Sequence, residues 1–200
     1  MKTGMLDWAV KAMTRSGEPV SGDRLVVKGL EDGVLVAVID GLGHGPAAAQ
    51  AAKRAAITIE ENAAQDLAEM MQLCHSELTG DRGAVISLVK LGNDGTLTWL
   101  GVGNVAIKLL RGQLDSLLRT IERPVLRAGL VGHGKLPLLR SASIPVRNND
   151  LLLLATDGIS LGFVDSIDIS AGSVEIAEQI IKKYGKYTDD ALVFVGRYVV

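Results

Sequence analysis

The sequence has a single cysteine, Cys74, few aromatic residues and no strong excess of charge of either sign. One cysteine excludes an internal disulfide and a zinc site built from several cysteines. The net charge of −2 provides no general attraction for nucleic acid or anionic lipid. No apolar run approaches the roughly 18 residues of a membrane-spanning helix, and the N-terminal MKTGMLDWAVKAM lacks the apolar centre of a signal peptide. We therefore expect a soluble, cytoplasmic protein without nucleic-acid or membrane partners.

Aliphatic residues are abundant instead. Hydrophobic residues make up 48% of the chain while Phe, Trp and Tyr make up 4%, so the core must consist mostly of Leu, Val, Ile and Ala. A length of 200 residues suits one domain with a sizeable core. Because the chain has no repeat, low-complexity tract or linker, a single domain over residues 1–200 is predicted.

Strand patterns dominate the chain. The segments predicted as strands are 6–13, 23–30, 34–40, 83–91, 96–102, 104–110, 137–146, 150–156 and 190–199. The most apolar runs, at 34–39, 151–155 and 191–195, indicate strands buried on both faces. Turn sequences such as Asn93-Asp94-Gly95 favour antiparallel hairpins.

Three helices are predicted, at 46–63, 66–78 and 173–184. The second has an apolar stripe at helical spacing, formed by Leu67, Met70, Met71, Cys74 and Leu78, which also assigns the cysteine to the core. The third has a similar stripe, formed by Val174, Ala177, Ile180, Ile181 and Tyr184. Strands buried on both faces need cover, so the pattern predicts an α+β fold of two packed, mainly antiparallel sheets with helices outside.

Three aspartates adjoin the three most apolar strands. Asp40 ends the first, Asp157 follows the second, and Asp189 precedes the third. If the third strand is antiparallel to its neighbours, the three carboxylates meet at one edge of the sheet. Carboxylates packed together raise one another's pKa, and a bound Mg²⁺ or Mn²⁺ relieves their repulsion. A lone Asp-Gly is usually only a turn, but the joint occurrence favours a metal site, with Asp23 contributing through water.

Four short motifs in this order resemble a known family. Residues 40–48, DGLGHGPAA, are similar to the D-x-x-G-H-G-x-x-A segment of the bacterial, SpoIIE-type branch of the metal-dependent protein phosphatases (PPM, type 2C). Residues 154–159, LATDGI, resemble the T-D-G motif of that branch, residues 189–192, DDAL, its terminal D-D-x-T, and residues 21–23, SGD, its early G-D. The set extends over residues 21–195, nearly the whole chain.

The resemblance implies a site with two Mn²⁺ or Mg²⁺ ions. Asp40 would bridge both ions, the carbonyl of Gly41 would join one of them, and Asp157 and Asp189 would hold the other. Asp23 would act through water. The fold implied is a four-layer α-β-β-α sandwich, and the activity is that of a serine/threonine phosphoprotein phosphatase that uses a metal-activated water and no covalent intermediate.

Within the branch, the bare catalytic domain is most similar to the stressosome phosphatases. That similarity implies partners that are phosphorylated STAS-domain proteins of the RsbS and RsbR type, and a role in resetting the general stress response. The chain departs from the family pattern at Leu192, where threonine is usual, and Asp190 follows the implied ligand. No arginine clearly matches the one that binds substrate phosphate in eukaryotic members; Arg15 and Arg24 are the candidates.

His44 lies four residues after Asp40, between two glycines at the start of a predicted helix. It is a candidate proton donor to the leaving alcohol or an organiser of the site, and the plainer alternative is a residue that packs or faces water at the helix start. We take Asp40 and His44 as the candidate catalytic residues.

Three alternatives to a metal-dependent protein phosphatase are open. The first is a phosphatase of the haloacid dehalogenase type, which needs a second acid two residues after its aspartate, and position 42 is leucine. An ATP-binding anti-sigma or kinase-type module would use Asp40 with spaced glycines, but a second glycine box is lacking. A catalytically weak phosphatase-like binding protein is the third alternative, and retention of all the implied aspartates argues against it.

Overall fold

A computed structural model describes residues 1–112, 119–122 and 126–199. The strands are β1 (Lys2–Thr3), β2 (Leu6–Met13), β3 (Asp23–Leu30), β4 (Gly33–Gly41), β5 (Ala84–Gly92), β6 (Thr96–Val102), β7 (Ala106–Gly112), β8 (Arg119–Glu122), β9 (Ala142–Pro145), β10 (Leu151–Ala155) and β11 (Ala191–Tyr198). The helices are α1 (Gly45–Glu61), α2 (Leu67–Glu77) and α3 (Ser173–Tyr184), and a 3₁₀ turn spans Phe163–Ser166.

The strands form two sheets. The first has the order β1-β2-β11-β10-β7-β8 and the second the order β3-β4-β5-β6-β9. Every pairing between these named strands is antiparallel, as the hairpin turns predict. Strands β10 and β11 are neighbours in the first sheet, with Ala155 opposite Val193.

The central strands of both sheets are buried on both faces, because successive side chains point to opposite sides of a strand. In β4, Leu35 and Ile39 pack against α1 and α2, while Val36 faces the other sheet. In β10, Leu154 faces the other sheet and Leu153 packs under α3. Three apolar layers therefore separate four layers of structure, and the predicted α-β-β-α sandwich is confirmed.

Helix α1 can lie close to the second sheet because its inward positions are alanines, among them Ala48, Ala52 and Ala55, all fully buried. The helix starts at Gly45-Pro46, and proline is well suited to a first helical turn. Since β4 ends at Gly41, only a short connection separates the buried strand from the start of the helix. The end of β4 and this connection together place residues 40–44 at one end of the sandwich.

The predicted strands and helices agree with the structure except in a few places. Segment 137–146 contributes only Ala142–Pro145 as a strand, and β1 and β8 were not predicted. The predicted stripe of α2 is fully confirmed as core, but in α3 Val174 is 52% exposed and Ile176 is buried instead. Within the described ranges, no helix is both long enough and apolar enough to cross a membrane.

Candidate active site

A cavity of about 210 Å³ opens at the end of the sandwich where β4 ends and β11 begins. Its wall includes the carboxylates of Asp40, Asp157 and Asp189, the side chains of Arg15 and His44, and the residues Leu42, Gly43, Val85, Asn104 and Leu130. The structure therefore brings the three predicted aspartates to one cavity. It also adds a basic side chain to the same wall.

The aspartates do not share an edge of one sheet, so that part of the sequence prediction is wrong. Asp157 and Asp189 flank the neighbouring antiparallel strands β10 and β11 of the first sheet, as expected. Asp40, however, is the residue before the last of β4, in the second sheet. The cavity therefore lies across the junction of the two sheets.

Asp23 lies behind the cavity rather than in its wall, directly opposite Asp40 in the β3–β4 pairing. Burial raises the pKa of Asp23 to about 7, against a hydrogen bond from Thr156 that lowers it, and the charges of Asp190, Asp157 and Asp189 raise it further. Burial also raises the pKa of Asp40 to about 8, with further contributions from the charge of Asp23 and the other acids. The predicted mutual effect is present, but desolvation is the larger cause.

The hydroxyl of Thr156 connects the two sheets beneath the cavity. Its Oγ1 donates to Asp23 Oδ2 at 2.8 Å and accepts from the backbone N–H of Leu192 at 2.8 Å. Thr156 follows β10 in the first sheet, whereas Asp23 begins β3 in the second. One side chain therefore fixes the buried acid and bridges the junction on which the site is built.

Asp190 has a structural use. Its Oδ1 accepts from the backbone N–H of Arg15 at 2.8 Å, and its Oδ2 accepts from that of Gly22 at 2.7 Å. The carboxylate thus ties together the two ends of the loop between β2 and β3, at residues 14–22. Asp189 lines the cavity, whereas Asp190 does not.

Gly41 and Gly158 directly follow Asp40 and Asp157. Close packing explains why both positions are glycine. A side chain at Gly41 would collide with the backbone carbonyl of Ala48, and one at Gly158 with the carbonyl of Asp190. Neither glycine has a positive φ, so close packing and not an unusual backbone conformation accounts for them. Gly41 does not line the cavity, and its N–H donates to the carbonyl of Gly22 at 3.1 Å.

Sequence reasoning missed several partners of the site. The side-chain amide of Asn104 donates to Asp157 Oδ2 at 2.9 Å, and Lys186 Nζ donates to the carbonyl of Asp157 at 2.6 Å. Asn104 begins the predicted strand 104–110, and nothing in the sequence marks its contact 53 residues away. Of the two arginine candidates, Arg15 lines the cavity, whereas Arg24 is exposed and does not.

The donor set suits a hard divalent cation. Among the residues that the structure describes, no three His, Cys, Asp or Glu side chains meet closely enough to hold an ion as they stand. The carboxylates of Asp40, Asp157 and Asp189 instead line a common cavity. Carboxylate oxygens, with no sulfur among the donors, are the ligands that Mg²⁺ and Mn²⁺ prefer, so the residues present fit such ions.

Comparison with known proteins identifies the family. The profile of the Stage II sporulation protein E (SpoIIE) family matches residues 31–198. The chain belongs to the SpoIIE family. Phosphoserine phosphatase RsbX of Bacillus subtilis (strain 168) is 24% identical over 187 residues, which cover 93% of this chain and 91% of RsbX.

Solved structures of this family and its relatives have the same fold. One, described as "The bacterial stressosome: a modular system that has been adapted to control secondary messenger signaling", has 33% identity and a TM-score of 0.86, with coverage of 96% of this chain and 99% of that chain. RsbX in complex with magnesium has 21% identity and a TM-score of 0.85, covering 99% and 98%. The catalytic domain of the serine/threonine protein phosphatase PstP with two manganese ions has 16% identity and a TM-score of 0.71, covering 98% and 99%.

These matches confirm three predictions made from the sequence. They are the type 2C phosphatase superfamily with its SpoIIE branch, the four-layer fold, and the enzyme class, a protein-serine/threonine phosphatase.

Proposed function

We propose that this SpoIIE-family chain removes phosphate from serine or threonine of stressosome STAS-domain proteins of the RsbS and RsbR type. Two observations on relatives support this substrate class. RsbX is a phosphoserine phosphatase, and the description of the 33% identical relative of known structure begins with the words "The bacterial stressosome". Such an activity would return the signalling complex to its resting state after stress. Cytoplasmic localisation stays a prediction.

Two Mn²⁺ or Mg²⁺ ions are proposed as cofactors, held by Asp23, Asp40, Gly41, Asp157 and Asp189 in the roles given above. When bound, the ions supply hydroxide from water near neutral pH and offset charge on the phosphoryl oxygens. Carboxylates as strongly desolvated as Asp23 and Asp40 are costly to the fold without a counter-charge, which supports this assignment.

The other residues of the site would bind and orient the substrate. The guanidinium of Arg15 is the basic group in the wall, and it is well placed to hold phosphoryl oxygens. Leu42, Val85 and Leu130 form the apolar part of the wall and limit the access of water. Asn104 fixes the carboxylate of Asp157 in one orientation through its hydrogen bond.

His44 is proposed as the donor of a proton to the departing serine or threonine oxygen. Its side chain lines the cavity that holds Asp40, and it is 43% exposed there. General acid catalysis needs a donor within hydrogen-bond reach of the leaving oxygen. Asp40 and His44 remain the proposed catalytic residues.

The observation that carries the proposal is the convergence of acids from both sheets on one cavity that also contains Arg15. A structural explanation of Asp40, Asp157 and Asp189 as separate turn residues gives no reason for them to meet. An ATP-binding anti-sigma or kinase-type module predicts a different fold.

The test is phosphate release from a phosphoserine STAS-domain protein with Mn²⁺, with Mg²⁺ and with EDTA. We expect turnover with either metal and none above background in EDTA. Unchanged turnover in EDTA would refute the metal assignment. Tight binding of the phosphoprotein without turnover would instead favour the phosphatase-like binding protein.

A further inference from the structure

The imidazole of His44 is paired with a carboxylate from the loop between β2 and β3. Its Nδ1 lies 2.5 Å from Glu18 Oε1, a contact between residues 26 positions apart in the chain. The Glu18 side chain is 22% exposed, compared with 43% for His44, so the carboxylate is the more enclosed partner. Because Nδ1 is taken by Glu18, the Nε2 atom on the far side of the ring is the nitrogen left for the cavity.

Glu18 is held in place by the backbone of its own loop. The N–H of Glu18 donates to the carbonyl of Arg15 at 3.1 Å, and the N–H of Ser16 donates to the carbonyl of Tyr187 at 3.2 Å. Asp190 binds the N–H groups at both ends of the same loop. The loop that supplies Arg15 to the cavity therefore also supplies Glu18 to His44, from a fixed base next to Asp189.

The second oxygen of the Glu18 carboxylate lies over the start of α1. A side chain at Gly45, whose φ is +73°, would collide with Glu18 Oε2. Helix α1 has no acidic residue in its first turn, and its N-cap residue His44 makes no side-chain capping bond. A carboxylate at a helix N-terminus is favourable, so a purely structural role for Glu18 is the rival explanation that an experiment must separate.

We propose that Glu18 is a positioning residue for phosphate-ester hydrolysis, which holds His44 through Nδ1 so that Nε2 delivers a proton to the leaving oxygen. This inference rests on the proposed function. The carboxylate accepts the Nδ1 hydrogen, fixes the tautomer and the ring plane, and lies opposite the positive charge of the doubly protonated imidazole. The contact therefore orients the donor before the substrate arrives.

The step is balanced with water as the only co-reactant. A water oxygen forms the new bond to phosphorus while the bond from phosphorus to the serine oxygen breaks. The leaving oxygen takes the bonding electron pair and receives the proton from His44 Nε2, giving the free hydroxyl and inorganic phosphate. The proton lost by the attacking water restores His44 through solvent.

Two substrates that differ in leaving group separate this role from a structural one. A phosphoserine peptide releases an alkoxide that must be protonated, whereas p-nitrophenyl phosphate releases an anion that is stable without a proton. For Glu18→Ala we expect kcat on the phosphoserine peptide to fall about 10- to 100-fold, and kcat on the aryl phosphate to fall less than about threefold. The double variant Glu18→Ala, His44→Ala should lose no more than His44→Ala alone, because both residues act through one proton.

The matched control is Glu77→Ala, which removes a carboxylate that pairs with Arg54 of α1 at 2.9 Å, away from the cavity. It should leave the ratio of the two kcat values as in the wild type. An equal fall on both substrates in Glu18→Ala would overturn the proposal in favour of a structural role, and so would no fall on either.

The hydrogen bond between His44 and Glu18 can also be measured without catalysis. Long-range ¹H–¹⁵N NMR of the metal-free chain should show His44 Nδ1 protonated in the wild type, and a mixture of tautomers in Glu18→Ala. A wild-type spectrum with Nδ1 bare would also overturn the proposal. Failure of the proposed function is a separate result, namely a wild-type protein with no metal-dependent turnover of either substrate.

Discussion

Replacing Asp40 by asparagine should stabilise the metal-free protein while it abolishes metal-dependent catalysis. The carboxylate is buried next to Asp23, and its pKa rises from 3.8 to about 8. Asparagine has nearly the same shape but no charge, so it removes the cost of ionising a desolvated group. The same change removes the ligand proposed to bridge both ions.

The size of the effect follows from the pKa. A rise of about 4 units at about 1.4 kcal/mol per unit sets a ceiling of about 6 kcal/mol for the cost at alkaline pH. The asparagine amide must itself be buried and Asp23 remains beside it, so we expect a gain of about 2–3 kcal/mol, or about 4–12 °C in Tm.

The pH dependence has a definite sign. The folded state of the metal-free protein keeps the Asp40 proton up to about pH 8, whereas the unfolded chain releases it near pH 3.8. The stability that this proton contributes is fully present below about pH 3.8 and is lost progressively as the pH rises to about 8. The advantage of Asp40→Asn should therefore be largest at pH 8.5 and should fall below about 1 kcal/mol at pH 5.

The assay is thermal unfolding in EDTA and in 1 mM Mg²⁺, at both pH values. At a Mg²⁺ concentration of about 100 times Kd, the wild type should gain about 2.7 kcal/mol from the metal, and Asp40→Asn should gain almost nothing. The control is Asp94→Asn, in an exposed turn where the carboxylate accepts from Thr96 N–H. A variant that is no more stable than wild type in EDTA at pH 8.5, or that retains full phosphatase activity, would refute the reasoning.

Two further predictions concern residues around the site, and a third concerns the core. Thr156→Val should cost about 1–3 kcal/mol of unfolding free energy in chemical denaturation, because it leaves buried Asp23 without its hydroxyl partner, whereas Thr156→Ser should cost little; equal costs would contradict this reading. Asn104→Ala should weaken Mg²⁺ affinity about tenfold in calorimetry by freeing the carboxylate of Asp157, and an unchanged affinity would show that the contact is incidental. Cys74, fully buried and with a pKa raised to about 12, should resist thiol reagents at pH 8 until the protein unfolds, and labelling of the native chain would disprove its assignment to the core.

The sequence predicted the secondary structure well because its signals were strong and local. The runs at 34–39, 151–155 and 191–195 have too many consecutive apolar residues for strands exposed on one face. The helical spacing of apolar residues in α2 predicted five core residues correctly. In α3 the same reasoning predicted Val174 as a core residue, because apolar residues of a short helix can be assigned to either of two adjacent rows on its surface. The predicted strand 137–146 is longer than β9, because the apolar residues near 137–139 precede β9 but do not pair with another strand.

The site was predictable in its acids but not in the contacts that organise them. Asp40, Asp157 and Asp189 were marked by motifs next to buried strands. Sequence alone could not assign β4 to one sheet and β10 to the other, because both are equally apolar. The contact of Thr156 with Asp23 joins residues 133 positions apart, and no local pattern records such a distance.

Asp40 belongs to one sheet, whereas Asp157 and Asp189 flank strands of the other. The distance between these reactive groups therefore depends on the thickness of the apolar layer in the middle of the protein, between the two sheets. Side chains such as Val36 and Leu154 fill that middle and set how far apart the two sheets lie. A displacement of about 1 Å between reacting groups can lower a rate about 100-fold. Substitutions of these aliphatic residues should therefore reduce catalysis while the chain is still folded, so the interior of this protein is constrained by its chemistry as well as by its stability.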